Sequence, residues 1–201
     1  MQAREILTLI RAILRDEKAG NYRFEDSLLL SALEREQNTL MSEFEQPIRY
    51  FCKQITPKDN FLELPSTCLK VCACFLDNKE IARQSLKNRL KNTTCNLSLV
   101  PLSLQVYQVL PTYRANGICE LYYISAQGNL SADSTLFLDD IFSLSLVQGC
   151  VIQLLSIETH APNLQKIQLF KQLLKEEKDK LRAMVSRASE PSIIPTPYKL
   201  V

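Results

Sequence analysis

Glycine is scarce in this chain: four in 201 residues. That is too few for an all-β protein built on tight turns, and no Gly-rich phosphate loop can be written. Histidine is scarcer still. The single one, His160, stands beside Pro162 between two helical stretches. With no second histidine a catalytic or ligand role for it is not expected, and one histidine in an exposed loop supports no Ser/His/Asp or Cys/His arrangement. Net charge is almost absent as well. The 24 basic and 22 acidic residues leave +2. This excludes a broad electrostatic footprint for nucleic acid, though not a local one. No apolar run reaches the length expected of a bilayer span, and Met1-Gln2-Ala3-Arg4-Glu5 lacks a signal-peptide pattern. The expectation is a chain made and used in a reducing cytoplasm, with no membrane partner.

Cysteine is plentiful, but its spacing is uninformative. The seven (Cys52, Cys68, Cys72, Cys74, Cys95, Cys119, Cys150) are an odd number without disulfide-scaffold spacing. Cys68-Leu69-Lys70-Val71-Cys72-Ala73-Cys74 has neither the usual Cys-x2-Cys spacing of zinc nor a second ligand set. Read as a strand, its alternation puts all three sulfurs and Lys70 on one face, as small core residues. Asp133, Asp139, Asp140 and Glu158 offer carboxylates, but neighbours on a helix do not face one another. No catalytic, cofactor-binding or metal residue is assigned, and no enzyme activity or cofactor is expected.

What the chain does have is 46% hydrophobic and 23% charged residues, enough for a core. Helical periodicity appears at about 3–16, 25–43, 140–158 and 161–186. In the first helix Ile6, Leu7, Leu9, Ile10, Ile13 and Leu14 make the apolar stripe. Glu25 and Asp26 suit the first turn of the second, and Phe24 is placed to staple onto Leu28 or Leu29. The stretch 140–158 is apolar almost all round, which predicts burial on several sides. Between about 48 and 125 the period changes to two. Runs at 49–55, 61–64, 68–76, 105–110 and 118–124 read as strands, with 105–110 and 118–124 paired through Asn116-Gly117. Asp77-Asn78-Lys79-Glu80 reads as a hairpin turn into Ile81-Ala82-Arg83, and 85–91 as a short helix. The expected fold is α+β, mainly α. It is a helical bundle of two N-terminal and two C-terminal helices with a small antiparallel β insertion and an extended C-terminal arm.

The arm, 187–201, follows the one clear shift in composition. Pro191, Pro195 and Pro197 forbid a helix and favour extended backbone. Ile193, Ile194, Tyr198, Leu200 and Val201 add apolar anchors that a solvated terminus does not need. A proline-stiffened apolar arm suits docking on another subunit.

The order of features from Arg23 to Gln37 resembles the entry to the second helix of tailed-bacteriophage head–tail adaptor (connector, or head-completion) proteins. The matching features are a first helix at Ala3–Leu14, the acidic Asp16-Glu17, the aromatic Phe24, the acidic Asp26, Leu29-Leu30 and the polar Gln37. Lys53-Gln54-Ile55 and Phe61-Leu62-Glu63-Leu64-Pro65 are similar to the family's sheet entry, and Leu121-Tyr122-Tyr123 to its late strand. Leu138-Asp139-Asp140-Ile141-Phe142 is similar to the segment before the last helix pair. The resemblance covers about 3–186, by order and spacing; unlike many members, this chain has no tryptophan. It implies an adaptor domain over 1–186 and a structural part without chemistry. That part is a homo-oligomeric, dodecameric ring beneath the portal protein that extends the DNA channel and presents a surface to a tail or nozzle protein. Double-stranded DNA passes through unread, and the location is the virion's head–tail junction. The alternative is a small cytosolic nucleic-acid-binding or protein-interaction domain without catalysis, to which Lys87, Arg89 and Lys91 or the lysines of the last helix could contribute.

Overall fold

The structure, a computed structural model, describes residues 1–16, 22–85, 87, 96–157 and 161–189. Several expectations lie outside these residues: most of the short helix at 85–91, Cys95, His160, and the docking arm with Pro191, Ile193, Ile194, Pro195, Pro197, Tyr198, Leu200 and Val201.

Four helices are described: α1 (Ala3–Leu14), α2 (Asp26–Phe44), α3 (Ser143–Ile157) and α4 (Ala161–Ser189). Each matches a stretch of helical periodicity in the sequence. The last continues through Ser189, past the boundary that composition put at 187. A 3-10 turn, Asp140–Phe142, leads into α3. Helix α3 is central and packs against α4, α2 and α1. Leu146, Val147, Cys150, Val151, Leu154 and Leu155 are all buried. A helix covered on three sides needs apolar residues on three sides, which explains its composition. Over Asp140–Ile157 the mean hydropathy is 1.6, so this stretch is long and apolar enough to cross a membrane, and 56% of it is buried against its neighbours. The sequence reading missed that length because Ser145, Gln148, Gly149 and Gln153 interrupt the apolar residues.

The β region is larger than a small insertion. It forms two four-stranded sheets, not one. The first has the order β1 (Ile48–Ile55), β8 (Gly117–Ser125), β3 (Cys68–Leu76), β4 (Lys79–Glu80), antiparallel throughout. The second has the order β2 (Phe61–Glu63), β7 (Val106–Leu110), β6 (Ser98–Pro101), β5 (Ala82–Arg83). Its β5–β6 pair is parallel, so the region is not purely antiparallel. The expected pairing of 105–110 with 118–124 does not occur, since β7 and β8 belong to different sheets. A 3-10 turn at Thr112–Arg114 carries the chain across instead. The hairpin expected at 77–80 is present but tighter: its turn is Asp77-Asn78 alone, with positive φ of 47° and 64°, while Lys79–Glu80 already pair with β3 and Ala82–Arg83 belong to the other sheet. Gly117 is not part of a turn. Its φ of 143° and the Asp77 carboxylate, 2.2 Å from where a Cβ would stand, leave room only for glycine.

Two apolar cores result. One fills the space between the sheets, with Ile55, Leu62, Val71, Leu99, Val109 and Leu121. The other joins the helices and takes in Ile124 of β8. Register shifts in β3, between Cys68 and Lys70 and between Val71 and Ala73, break its alternation. Cys68 and Cys74 therefore pack toward the sheet core and Cys72 toward the helix core. The three sulfurs do not share one face, because each extra residue in a bulge turns the following side chains over.

Candidate interaction surfaces

The sequence features that carry the family resemblance at Asp16, Phe24 and Asp26 meet at one residue, Arg11. Its guanidinium donates to Asp16 Oδ2 at 2.7 Å, to the Phe24 carbonyl at 3.1 Å, and to Asp26. Asp16 in turn accepts from the backbone N–H groups of Arg23, at 2.6 Å, and Phe24, at 3.2 Å. Tyr22 lies under the guanidinium, 3.8 Å from centroid to Cζ. This planar fork closes the end of α1 onto the start of α2. Phe24 is buried in the same core as Leu28 and Leu29, as the staple reading expects.

Gln37 also has a definite task. It is fully buried, donates to Gln127 Oε1 at 2.8 Å and accepts from the Phe137 N–H at 3.1 Å. Beside it, Asn38 Oδ1 accepts from the Gln127 N–H at 2.9 Å and Asn38 Nδ2 donates to the Gln127 carbonyl at 3.2 Å. Two amides on α2 thus fix the loop that delivers the chain to α3.

Glu36 is the buried carboxylate of the bundle. It lies against Gly149 of α3 and accepts from Gln153 Nε2 at 3.0 Å. Burial raises its pKa above the usual range, and the nearby Lys178 opposes that shift. Lys178 and Arg182 of α4 both reach Glu43 of α2. Lys180 pairs with Glu177, and Arg182 also with Asp179. Lys178, Lys180 and Arg182 of the last helix therefore tie into acids, as the interleaved sequence suggests. Arg89 and Lys91 lie outside the described residues.

No group of three or more His, Cys, Asp or Glu side chains is placed to hold a metal among the described residues. Asp133 pairs with Arg4, and Asp140 with the Met1 amino group at 3.0 Å. The thiols of Cys74 and Cys119 touch at 3.6 Å, both buried. Their hydrogen bond, with burial behind it, pushes the Cys74 thiol up.

The outer surface carries two further features that the sequence did not reveal. Between α1 and α4, over α3, runs a groove of about 360 Å³. Among the described residues Ile13, Leu14, Leu155 and Phe170 line it, together with Arg15, Arg23 and Lys166. Along α4, Leu169, Leu173 and Met184 stay exposed at 55%, 37% and 57%. On a projection of about 100° per residue they fall within about 60° of one another. Periodicity alone cannot tell such a stripe from a core face.

No protein-family model matches the chain, and no curated protein matches its sequence.

Proposed function

We propose that the chain is a structural subunit of a tailed-phage head–tail connector. In this reading copies form a ring, of dodecameric type, beneath the portal protein. The ring extends the channel through which double-stranded DNA passes and presents a surface to a tail or nozzle protein. The chain makes no catalytic contribution and needs no cofactor. It is made in the host cytoplasm, without a membrane partner, and ends in the virion.

The observation that carries this reading is the mismatch between α4 and its support. Helix α4 has 29 residues and α3 has 15. At about 1.5 Å per residue these lengths are roughly 43 and 22 Å. The longer helix keeps an apolar stripe uncovered and leads directly to the arm. A long helix with an uncovered apolar stripe is suited to lying against other subunits. The order of helices around a β region agrees with the family resemblance.

The test uses portal rings of the same genome, mixed with the full chain and with a chain lacking 190–201. The full chain should co-sediment with portal rings as a closed ring of copies. The shortened chain should keep its circular dichroism but lose attachment, because the arm begins after α4. A full, folded chain that never joins portal rings or DNA-filled heads would refute the connector reading.

A further inference from the structure

One face of the first sheet is open and aromatic. Tyr50 of β1 pairs with Tyr122 of β8, and the next row runs Cys52, Glu120, Phe75, Glu80 across β1, β8, β3 and β4. Directly paired residues share a face, so these side chains stand together. Tyr50 is 53% exposed, and Tyr122 and Phe75 are half-buried. The Tyr122 ring is 5.4 Å from that of Tyr50 and 5.8 Å from that of Phe75, between centroids. The Tyr50 hydroxyl donates to Glu120 Oε1 at 3.0 Å. The other face of β8 places Cys119 and Leu121 in the core between the sheets. What remains outside is a line of three rings with the carboxylates of Glu120 and Glu80 beside it.

Helix α4 leads the arm to the level of this face. Lys178 and Arg182 of α4 meet Glu43 at the end of α2. Lys70 of β3 reaches the same end, bonding the Ser42 carbonyl at 3.3 Å and Glu45 at 2.8 Å. Lys70 pairs with Ile124, two residues along β8 from Tyr122. Helix α4 continues to Ser189, seven residues past Arg182, which is roughly 10 Å. Residues 190–201 then carry three prolines, Tyr198 and one cation, Lys199. In the extended form that proline favours, these 12 residues span up to roughly 37 Å.

We infer that residues 190–201 of one copy dock on the Tyr50–Tyr122–Phe75 face of the next copy. Pro-rich extended segments are bound by aromatic-lined surfaces, where the flat pyrrolidine rings pack on aromatic faces and little ordering entropy is lost. Pro195 and Pro197 supply those rings, Tyr198 adds a fourth aromatic, and Lys199 meets the carboxylates of the face. The choice of the next copy rests on the ring reading. An arm laid on its own face joins nothing, whereas a ring needs a joint between two different patches, and the arm and the face are two such patches. Both lie at one level along the helices. Rotation about an axis parallel to the helices brings them together without a rise, and a joint of that kind closes a ring rather than extending a filament.

The experiment uses the full chain with a photoreactive benzophenone amino acid at residue 198. Unlabelled and isotope-labelled copies are mixed in equal amounts, alone and with portal rings of the same genome, and irradiated. Peptide masses should join 190–201 to 48–55, 68–76 or 117–125, with unlabelled-to-labelled pairs among them. In sedimentation velocity, Tyr122→Ser and Phe75→Ser should each weaken self-association by roughly 10–100-fold. Circular dichroism checks the fold, and Tyr50→Ser, at the more exposed ring, replaces a variant that does not fold. Cross-links confined to single copies, cross-links to other surfaces, or association unchanged in the face variants overturn the inference and leave the ring reading standing. A chain that stays monomeric both alone and with portal rings overturns both. Cross-links to the neighbour's face in assemblies that never bind portal rings sink the connector reading alone.

Discussion

Glu36 occupies the space that a side chain at residue 149 would fill: a Cβ on Gly149 would stand 2.2 Å from Glu36 Cδ and 2.3 Å from its Oε1. The α2–α3 contact is therefore made of a carboxylate laid on bare helix backbone. This decides the outcome of Gly149→Ala. Helix preference alone favours alanine by about 0.8–1 kcal/mol. Displacing a buried, hydrogen-bonded side chain costs about 1–3 kcal/mol. A net loss of roughly 1 kcal/mol is expected in urea unfolding. In a Glu36→Ala background the obstacle is gone, and the same substitution should become stabilising. Simple additivity of the two changes would show that the residues are not in contact.

Burial also gives Glu36 a pH signature. Its folded pKa is raised above its ordinary 4.5, with Lys178 and the Gln153 amide opposing the shift. Between the two values the folded chain holds more protons than the unfolded one, so stability falls as pH rises through that window. Glu36→Gln removes the titration. The stability of the native chain relative to this variant should therefore decline from pH 4.5 upward. A difference that is flat with pH, measured by urea midpoints, contradicts the buried carboxylate.

Arg11 holds Asp16, Asp26 and the Phe24 carbonyl at once, and the Asp16 side chain is only 4% exposed. Arg11→Met leaves Asp16 buried without its partner and should cost about 3–5 kcal/mol. Arg11→Lys should recover only part of this, because one ammonium cannot reproduce a planar fork to three acceptors. Thermal unfolding of the two variants decides; a lysine variant as stable as the native chain would show that charge alone suffices.

Cys74 and Cys119 touch, yet they should not bond. Their strands pair Cys74 with Leu121 and Leu76 with Cys119, so the two cysteines are diagonal neighbours. Diagonal positions lie about 7–8 Å apart, at or beyond the reach of a disulfide of about 7 Å. Mild diamide treatment of the folded chain, followed by peptide mass analysis, should find no link between them. A link in good yield would mean that β3 and β8 slide past one another in solution.

Local pattern determined what is local. The apolar spacing of Ile6, Leu7 and Ile10, or of Leu29, Leu33 and Leu40, specifies a helix and its inner face, since 3.6 residues per turn leaves no other way to bury them together. Asp77-Asn78 specified a turn because few other residues accept positive φ twice in succession. The extra residues in β3, the parallel β5–β6 pair and the separation of β7 from β8 were decided by strand partners distant in sequence, which no run of residues names. The same holds for the contact surfaces. Ile13 and Phe170 read as ordinary members of apolar stripes, and Arg15 and Lys166 as ordinary surface charges. Only the packing of α1 and α4 around α3 leaves a gap between them and turns those four residues into the wall and rim of one groove.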